Sequence, residues 1–131
     1  MFIFNFITLA KMVTEGRREE VLIVSDSAQT FCSRMRQLQH LRKNRTFCDV
    51  VLQVENSEIY AHRSVLACAS PYFFELFTAD DDLIYKLNGG FDRDSVERLV
   101  SYAYTGELEV SAASAKSMYI AAYKLKMNML G

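Results

Sequence analysis

The sequence is poor in cysteine and histidine, the residue types on which most zinc sites depend. It has three cysteines and two histidines in 131 residues. Cys32, Cys48 and Cys68 are odd in number and form no Cys-x2-Cys pair, so their spacing argues against a zinc site. We interpret them as buried free thiols of a protein in a reducing compartment.

The sequence also lacks an excess of either charge and a long hydrophobic run. Fifteen Lys and Arg against sixteen Asp and Glu leave a net charge of -1, which does not favour nucleic acid or an anionic membrane. The apolar run Met1–Ala10 has ten residues, too few to span a bilayer, and no basic segment of the kind that opens a signal peptide. We therefore expect neither a nucleic-acid nor a membrane partner for this domain.

Motifs for catalysis or cofactor binding are missing as well. Gly89-Gly90 is not followed by the Lys-Ser/Thr of a phosphate-binding loop. Cys48 or Cys68 could in principle pair with His62 and Asp49 as in a cysteine protease. Both cysteines lie in apolar runs without a Gly-rich pocket or oxyanion loop, so we predict a non-catalytic protein with no metal or cofactor.

A single domain with a substantial core is expected from 131 residues that are 50% hydrophobic. Its central stretch begins with a predicted strand, Phe47–Val54, rich in β-branched and apolar residues. Glu55-Asn56-Ser57 supplies turn residues, and Glu58–His62 alternates as a second strand. The spacing predicts a hairpin with a three-residue loop.

Helical spacing replaces this alternation after His62. The apolar positions on one helical face are Val65, Ala69, Tyr72, Phe73 and Leu76. Pro71 interrupts the pattern, because proline disfavours helical backbone at Ser70 and suits the first helical position. We predict two short helices, about 64–69 and 71–77, with Ser70 as the N-cap of the second.

The remaining elements are one strand and three longer helices. The predictions are a helix from the Ser25-Asp26-Ser27 caps to about Leu41, a strand Leu83–Leu87, a helix of about Arg93–Tyr104 and a helix Ala112–Lys126. Asp92 or Asp94 could cap the Arg93–Tyr104 helix at its start, and Gly106 suits its end. The basic residues around the first helix are interpreted as a solvated face rather than a phosphate-binding patch; they are Arg34, Arg36, Arg42, Lys43 and Arg45.

Several spaced motifs resemble the BTB (POZ) domain. In chain order they are FCDV (47–50), AHR (61–63), VLA (65–67), SPYF (70–73), YAYTG (102–106) and AAYKL (121–125). The resemblance implies an α+β fold with a small, mostly three-stranded sheet flanked by short helices. It also implies a BTB/POZ domain over 25–131 that lacks the family's last helices, after a tail (1–24) whose Val21–Val24 could pair with another subunit.

The resemblance further implies sites for protein partners. The first helix would form the dimer interface through Phe31, Met35 and Leu38. Asp49 and Arg63 would line the charged groove where BTB repressors bind corepressor, unless they only pin the strand ends together.

In cullin-3 adaptors, the matching contact residues would be Phe77, Leu83 and Tyr104. Those adaptors often carry an apolar-x-Glu motif after the Phe-Thr pair, whereas here Phe77-Thr78 is followed by Ala79–Leu83 without it.

The implied function is a homodimerising scaffold or adaptor for a cullin-3 ubiquitin ligase, of the BTB–kelch class. The runs FCDVVLQV and AHRSVLACASPY are most similar to the branch that binds the influenza nonstructural protein. The partners would be a second copy or another BTB protein, and cullin-3, in the cytoplasm, the nucleus or both. Two alternatives stay open: a transcriptional regulator that binds corepressor, and a short isoform that poisons full-length partners.

Overall fold

The computed structural model describes Ile23 and residues 25–127. The predicted tail, including the candidate strand Val21–Val24, lies outside the described residues apart from Ile23. Contacts divide the chain into two units, residues 1–34 and 35–131. The second unit holds the sheet and the core described below.

Five helices and three strands occur in the described residues, in the predicted order. They are α1 (Ala28–Lys43), β1 (Val50–Val54), β2 (Ser57–Ala61), α2 (Arg63–Ala69), α3 (Pro71–Ala79), β3 (Ile84–Lys86), α4 (Arg93–Thr105) and α5 (Ala115–Lys124). Strand β1 is central, antiparallel to β2 and parallel to β3. This small mixed sheet with short helices confirms the predicted α+β class. None of the described helices has the length and apolarity needed to cross a bilayer.

The β1–β2 hairpin has a tighter turn than predicted. Val54 pairs with Ser57, so the loop is Glu55-Asn56 alone and the predicted three-residue loop is wrong. Both loop residues have left-handed backbone, with φ of 54° and 79°. Two positive φ angles are what a two-residue type I′ turn requires to match the strand twist.

The bend between α2 and α3 follows from Ser70 and Pro71, as predicted. Ser70 is extended at φ -143°, and its Oγ accepts a hydrogen bond from the Phe73 amide at 3.2 Å. Pro71 occupies the first helical position, where no amide donor is needed. The Ser70 hydroxyl also donates to the Leu125 carbonyl at 2.6 Å, which ties the bend to the end of α5.

Helix α4 also begins and ends as its sequence predicts. The Asp92 carboxylate accepts from the Ser95 amide at 2.9 Å, so Asp92 is the N-cap. Asp94 instead pairs with Arg98 one turn later. Gly106 has a left-handed φ of 76° and its amide donates to the Tyr102 carbonyl, a helix end for which glycine is suited.

The core lies between the sheet and helices α2 to α5. Its largest fully buried side chains include Leu52, Ile59, Leu66, Phe73 and Leu99. Each such side chain contributes about 1.5–3 kcal/mol relative to an exposed one, so this cluster dominates folding. Leu38 of α1 packs against it from the edge.

The cysteines are less buried than predicted. Cys32 and Cys68 are exposed and Cys48 is half-buried, and all three are free thiols. The prediction of buried thiols is therefore wrong for the first two. Cys68 lies on the solvent side of α2, whereas Leu66 on the same helix faces the core.

Candidate functional site

The junction between β2 and α2 is held by a buried histidine. His62 is 8% exposed, and both its amide and its Nδ1 lie within hydrogen-bond distance of the Tyr104 hydroxyl, at 2.8 and 2.7 Å. Its Nε2 lies 3.0 Å from the Thr46 carbonyl. His62 thus fixes the junction through buried hydrogen bonds.

The partners of His62 determine where its protons lie. A carbonyl only accepts, so Nε2–H donates to Thr46 and Nδ1 accepts from the Tyr104 hydroxyl. Tyr104 is 2% exposed, and this burial raises the pKa of its phenol to about 12. The phenol therefore stays protonated and links α4 to the junction.

Asp49 and Arg63 do meet, though not as a pair of charged side chains. Asp49 Oδ1 accepts from the Arg63 backbone amide at 2.7 Å, at the first turn of α2. Within Asp49, the Arg63 guanidinium contacts the backbone carbonyl, at 3.4 Å, and not the carboxylate. Because an anion is favourable at a helix N-terminus, Asp49 fixes the start of α2 while its side chain remains exposed.

The Arg63 guanidinium points instead towards the segment between α3 and β3. It donates to the Asp82 carbonyl and approaches the Tyr85 hydroxyl at 3.4 Å. It also lies 5.0 Å from the centre of the Phe77 ring, a cation–π distance. Tyr85 in turn donates to Asp80 Oδ1 at 2.6 Å, and this hydrogen bond lowers the pKa of the Asp80 carboxyl. Arg63 thus holds this segment against α3.

The three predicted cullin contacts differ sharply in exposure. Leu83 is 58% exposed, whereas Phe77 is half-buried and stacks on Phe73 at 5.5 Å. Tyr104 is buried and its hydroxyl is committed to His62, so its prediction as a contact residue is at odds with the structure. The reason is that α4 turns this side chain into the core.

Two further apolar side chains, one on α3 and one on β3, are exposed. Phe74 on α3 is 60% exposed and Ile84 at the start of β3 is 47% exposed. We call Phe74, Leu83 and Ile84 the α3–β3 apolar set. The sequence signal for Phe74 is that Phe73 and Phe77, four residues apart, share the inward face of α3, whereas Phe74 is offset from Phe73 by one position.

The predicted dimer residues lie in both units. In the first, Phe31 is 52% exposed. In the second, Met35 is half-buried and Leu38 packs on the core. Leu38 is therefore engaged within its own chain, and Met35 keeps partly accessible surface.

One residue of the predicted solvated basic face is buried. Arg42 is 4% exposed and donates to Glu97 Oε1 at 3.0 Å, Gln39 Oε1 at 2.9 Å and Ser101 Oγ at 2.9 Å. The prediction is wrong for Arg42 because it lies four residues after Leu38, on the inward face of α1. The four-residue spacing from Leu38 is the sequence signal that could have predicted the burial of Arg42.

Glu97 is the anion that makes this burial tolerable. Burial works against its ionisation, but hydrogen bonds from Arg42 and Lys43 outweigh it and hold the pKa of the Glu97 carboxyl below its usual range. The Lys43 Nζ lies 2.7 Å from the same oxygen that Arg42 contacts. The network joins α1 to α4.

The same network borders a cleft of about 490 Å³ between α1 and α4. Its lining includes Arg36, His40, Glu107 and Glu109, so charges of both signs face the opening. Small-molecule pockets usually carry only a few precisely placed polar groups, whereas many charged side chains line this cleft.

Cys48 is the thiol nearest to a histidine. Its Sγ lies 3.8 Å from His62 Nε2, but that nitrogen already donates to the Thr46 carbonyl. Burial raises the pKa of the Cys48 thiol, which disfavours the nucleophilic thiolate. Within residues 25–127, no group of three or more His, Cys, Asp or Glu is placed to hold a metal ion.

Comparison with known proteins agrees with this architecture. A family model described as BTB/POZ domain matches residues 38–131. The Influenza virus NS1A-binding protein of Homo sapiens is 46% identical over 99 residues, 73% of this chain and 15% of that protein. Kelch-like protein 7 of Rattus norvegicus is 33% identical over 112 residues, 83% of this chain and 19% of that protein.

A solved structure supports the same comparison. The BTB domain of zebrafish PATZ1 is similar at a TM-score of 0.70 and 25% identity, covering 81% of this chain and 88% of that one. The chain spans less than a fifth of the length of either sequence relative.

Proposed function

This chain belongs to the BTB/POZ domain family, a family of protein-interaction modules, and we propose that it acts as a homodimerising scaffold or adaptor for a cullin-3 ubiquitin ligase. The proposal places it among BTB–kelch-type proteins, working in the cytoplasm, the nucleus or both. Substrate selection would fall to other parts of the assembly.

The homodimer part of the proposal is supported by α1. Met35 keeps partly accessible apolar surface while Leu38, one turn later, packs on the core. A second copy seated along α1 would cover Met35. Association of this kind removes apolar surface from water, which is its main driving force.

The cullin part rests on one observation, the exposure of the α3–β3 apolar set. Phe74, Leu83 and Ile84 are 60%, 58% and 47% exposed. Phe74 lies on the helix and Leu83 in the segment after it that family resemblance assigns to cullin, and Ile84 follows at the start of β3. Beneath them, Arg63 holds the connecting segment to α3, so the set is presented on a fixed frame. Exposed apolar residues on a rigid frame suit a protein partner.

The affinity should be lower than that of an adaptor with the apolar-x-Glu motif. Residues 79–83 read Ala-Asp-Asp-Asp-Leu and contain no glutamate at the expected place. With Tyr104 buried, contact would depend on the α3–β3 apolar set and the accessible part of Phe77.

Substitution of Leu83 tests this surface directly. We expect Leu83→Glu to weaken binding of the cullin-3 N-terminal domain at least about tenfold in isothermal titration calorimetry, because a central apolar contact becomes a desolvated charge. Tyr119→Glu, at a site on α5 that is 68% exposed, is the matched control and should bind as the parent does. Equal affinity for the parent and Leu83→Glu would contradict the assignment.

A corepressor-binding regulator is the second candidate, favoured by Asp49. Its carboxylate is exposed and sits beside Arg63 at the start of α2. A corepressor peptide that binds the parent chain but not Asp49→Asn, together with no uptake of cullin, would favour this function. A short isoform that only pairs with full-length partners would also be expected to take up no cullin.

A further inference from the structure

Phe47 combines two features that rarely occur together. Its side chain is 79% exposed, and its backbone has a left-handed φ of 60°. Left-handed backbone is uncommon for a bulky residue because Cβ approaches the carbonyl oxygen. Neither burial nor an easy conformation therefore explains a phenylalanine at this position.

The backbone on both sides of Phe47 is firmly held. On one side, the Thr46 amide donates to the Leu41 carbonyl at 2.8 Å and the Thr46 carbonyl accepts from His62. On the other side, the Asp49 amide donates to Ala61 at 3.2 Å and its carboxylate accepts from Arg63. The unfavourable conformation is imposed by these bonds, and strain of this kind is concentrated at functional positions.

An exposed ring on a firmly held backbone has the properties of a binding anchor. Aromatic residues dominate the energetics of protein interfaces, and a fixed backbone lowers the entropy lost on binding. The loop is bonded to the end of α1 through Leu41 and through Cys48 Sγ, which lies 3.9 Å from the Arg42 carbonyl. Phe47 is thus continuous with the helix assigned to the dimer.

We propose that Phe47 is the anchor through which this chain associates with a second copy of itself, an inference that rests on the proposed homodimer. The charges around it favour a second copy as the occupant. Arg45, whose guanidinium lies 4.2 Å from the Tyr60 ring centre, is exposed before Phe47, and the Asp49 carboxylate is exposed after it. In a two-fold interface the same patch meets itself, so a patch with both signs is self-complementary.

Two substitutions at this position separate anchoring from folding. Asparagine tolerates left-handed backbone better than phenylalanine, so Phe47→Asn should fold with an equal or higher melting temperature than the parent when both are diluted to monomers, where association adds no stability. It should nevertheless weaken dimerisation of the full 131-residue chain at least about tenfold, measured by sedimentation equilibrium across a dilution series. Phe47→Leu keeps an apolar side chain and should lose less than Phe47→Asn.

The outcomes distinguish this inference from the proposed homodimer. A parent chain that is monomeric at every concentration would overturn the homodimer, and the anchor with it. A parent dimer matched in affinity by Phe47→Asn would overturn the anchor alone. A weakened Phe47→Asn dimer with a retained melting temperature supports both.

Discussion

Arg42 shows how one side chain can decide the relation between two helices. A buried guanidinium is tolerated only when it is paired and its donors are satisfied. Here Glu97, Gln39 and Ser101 provide those partners from α1 and α4. The arrangement fixes where α4 lies along α1.

Removing the Arg42 guanidinium should therefore destabilise the fold. We expect Arg42→Met to lower the free energy of unfolding by about 3 kcal/mol in urea titrations at pH 7, because Glu97 keeps only Lys43 as a partner. Arg36→Met removes an exposed pair with Glu107 at 3.8 Å and should cost less than about 0.5 kcal/mol. Equal losses in the two variants would show that burial of Arg42 contributes nothing.

The cost of Arg42→Met should also depend on pH. Since the folded pKa of Glu97 is lowered, its ion pair stabilises the fold above the ordinary carboxyl pKa and is lost as pH falls through the lowered value. The difference in free energy of unfolding between the parent and Arg42→Met should therefore be smaller at pH 3 than at pH 7. A gap that is unchanged from pH 7 to pH 3 would assign the loss to packing alone.

The contribution of Tyr104 to the free energy of unfolding should change at alkaline pH. Tyr104→Phe should cost about 1–3 kcal/mol at pH 7, since the His62 amide and Nδ1 lose their partner. The folded pKa of about 12 exceeds the unfolded value near 10, so the parent keeps this contribution below pH 10 and loses it as pH rises towards 12.

Unfolding monitored by circular dichroism at pH 9 and pH 11 tests this. The gap between the parent and Tyr104→Phe should narrow at the higher pH. Tyr119→Phe, at an exposed position, should show no gap at either pH. A gap between the parent and Tyr104→Phe that widens with pH would refute the proposed protonated phenol.

At the scale of elements, the sequence predicted helix boundaries correctly where the residues that set them are neighbours in the chain. Pro71 with Ser70, Asp92 with Ser95, and Gly106 each gave a helix boundary that the structure contains. The predicted hairpin loop is one residue longer than the observed one, because Ser57 is a typical turn residue but pairs with Val54 in the strand. Turn propensity alone does not set strand register.

Ser70 has a role at this scale that goes beyond capping. It caps α3 and also bonds the end of α5, and it is 1% exposed. We expect Ser70→Ala to cost about 1–3 kcal/mol, because a cap is lost and the Leu125 carbonyl is left unsatisfied. Ser64→Ala, at an exposed position of α2, is the control for denaturant unfolding and should be near neutral. A neutral Ser70→Ala would contradict the link between the bend and α5.

At the scale of the whole molecule, the order of elements and the BTB/POZ family could be predicted from spaced motifs alone. The surfaces could not, because the burial of Arg42 and Tyr104 depends on which helix each one faces after folding. Phe74 and Phe73 are adjacent and chemically identical, yet one is 60% exposed and the other 1%. Only the tertiary arrangement separates them.

Light scattering on the intact chain, alone and mixed with the cullin-3 N-terminal domain, tests the proposed function most directly. The expected mass alone is twice that of the 15.0 kDa chain, and the mixture should add one cullin domain per chain at sufficient concentration. A mass of one chain at every concentration, or a dimer that never takes up cullin, would contradict it.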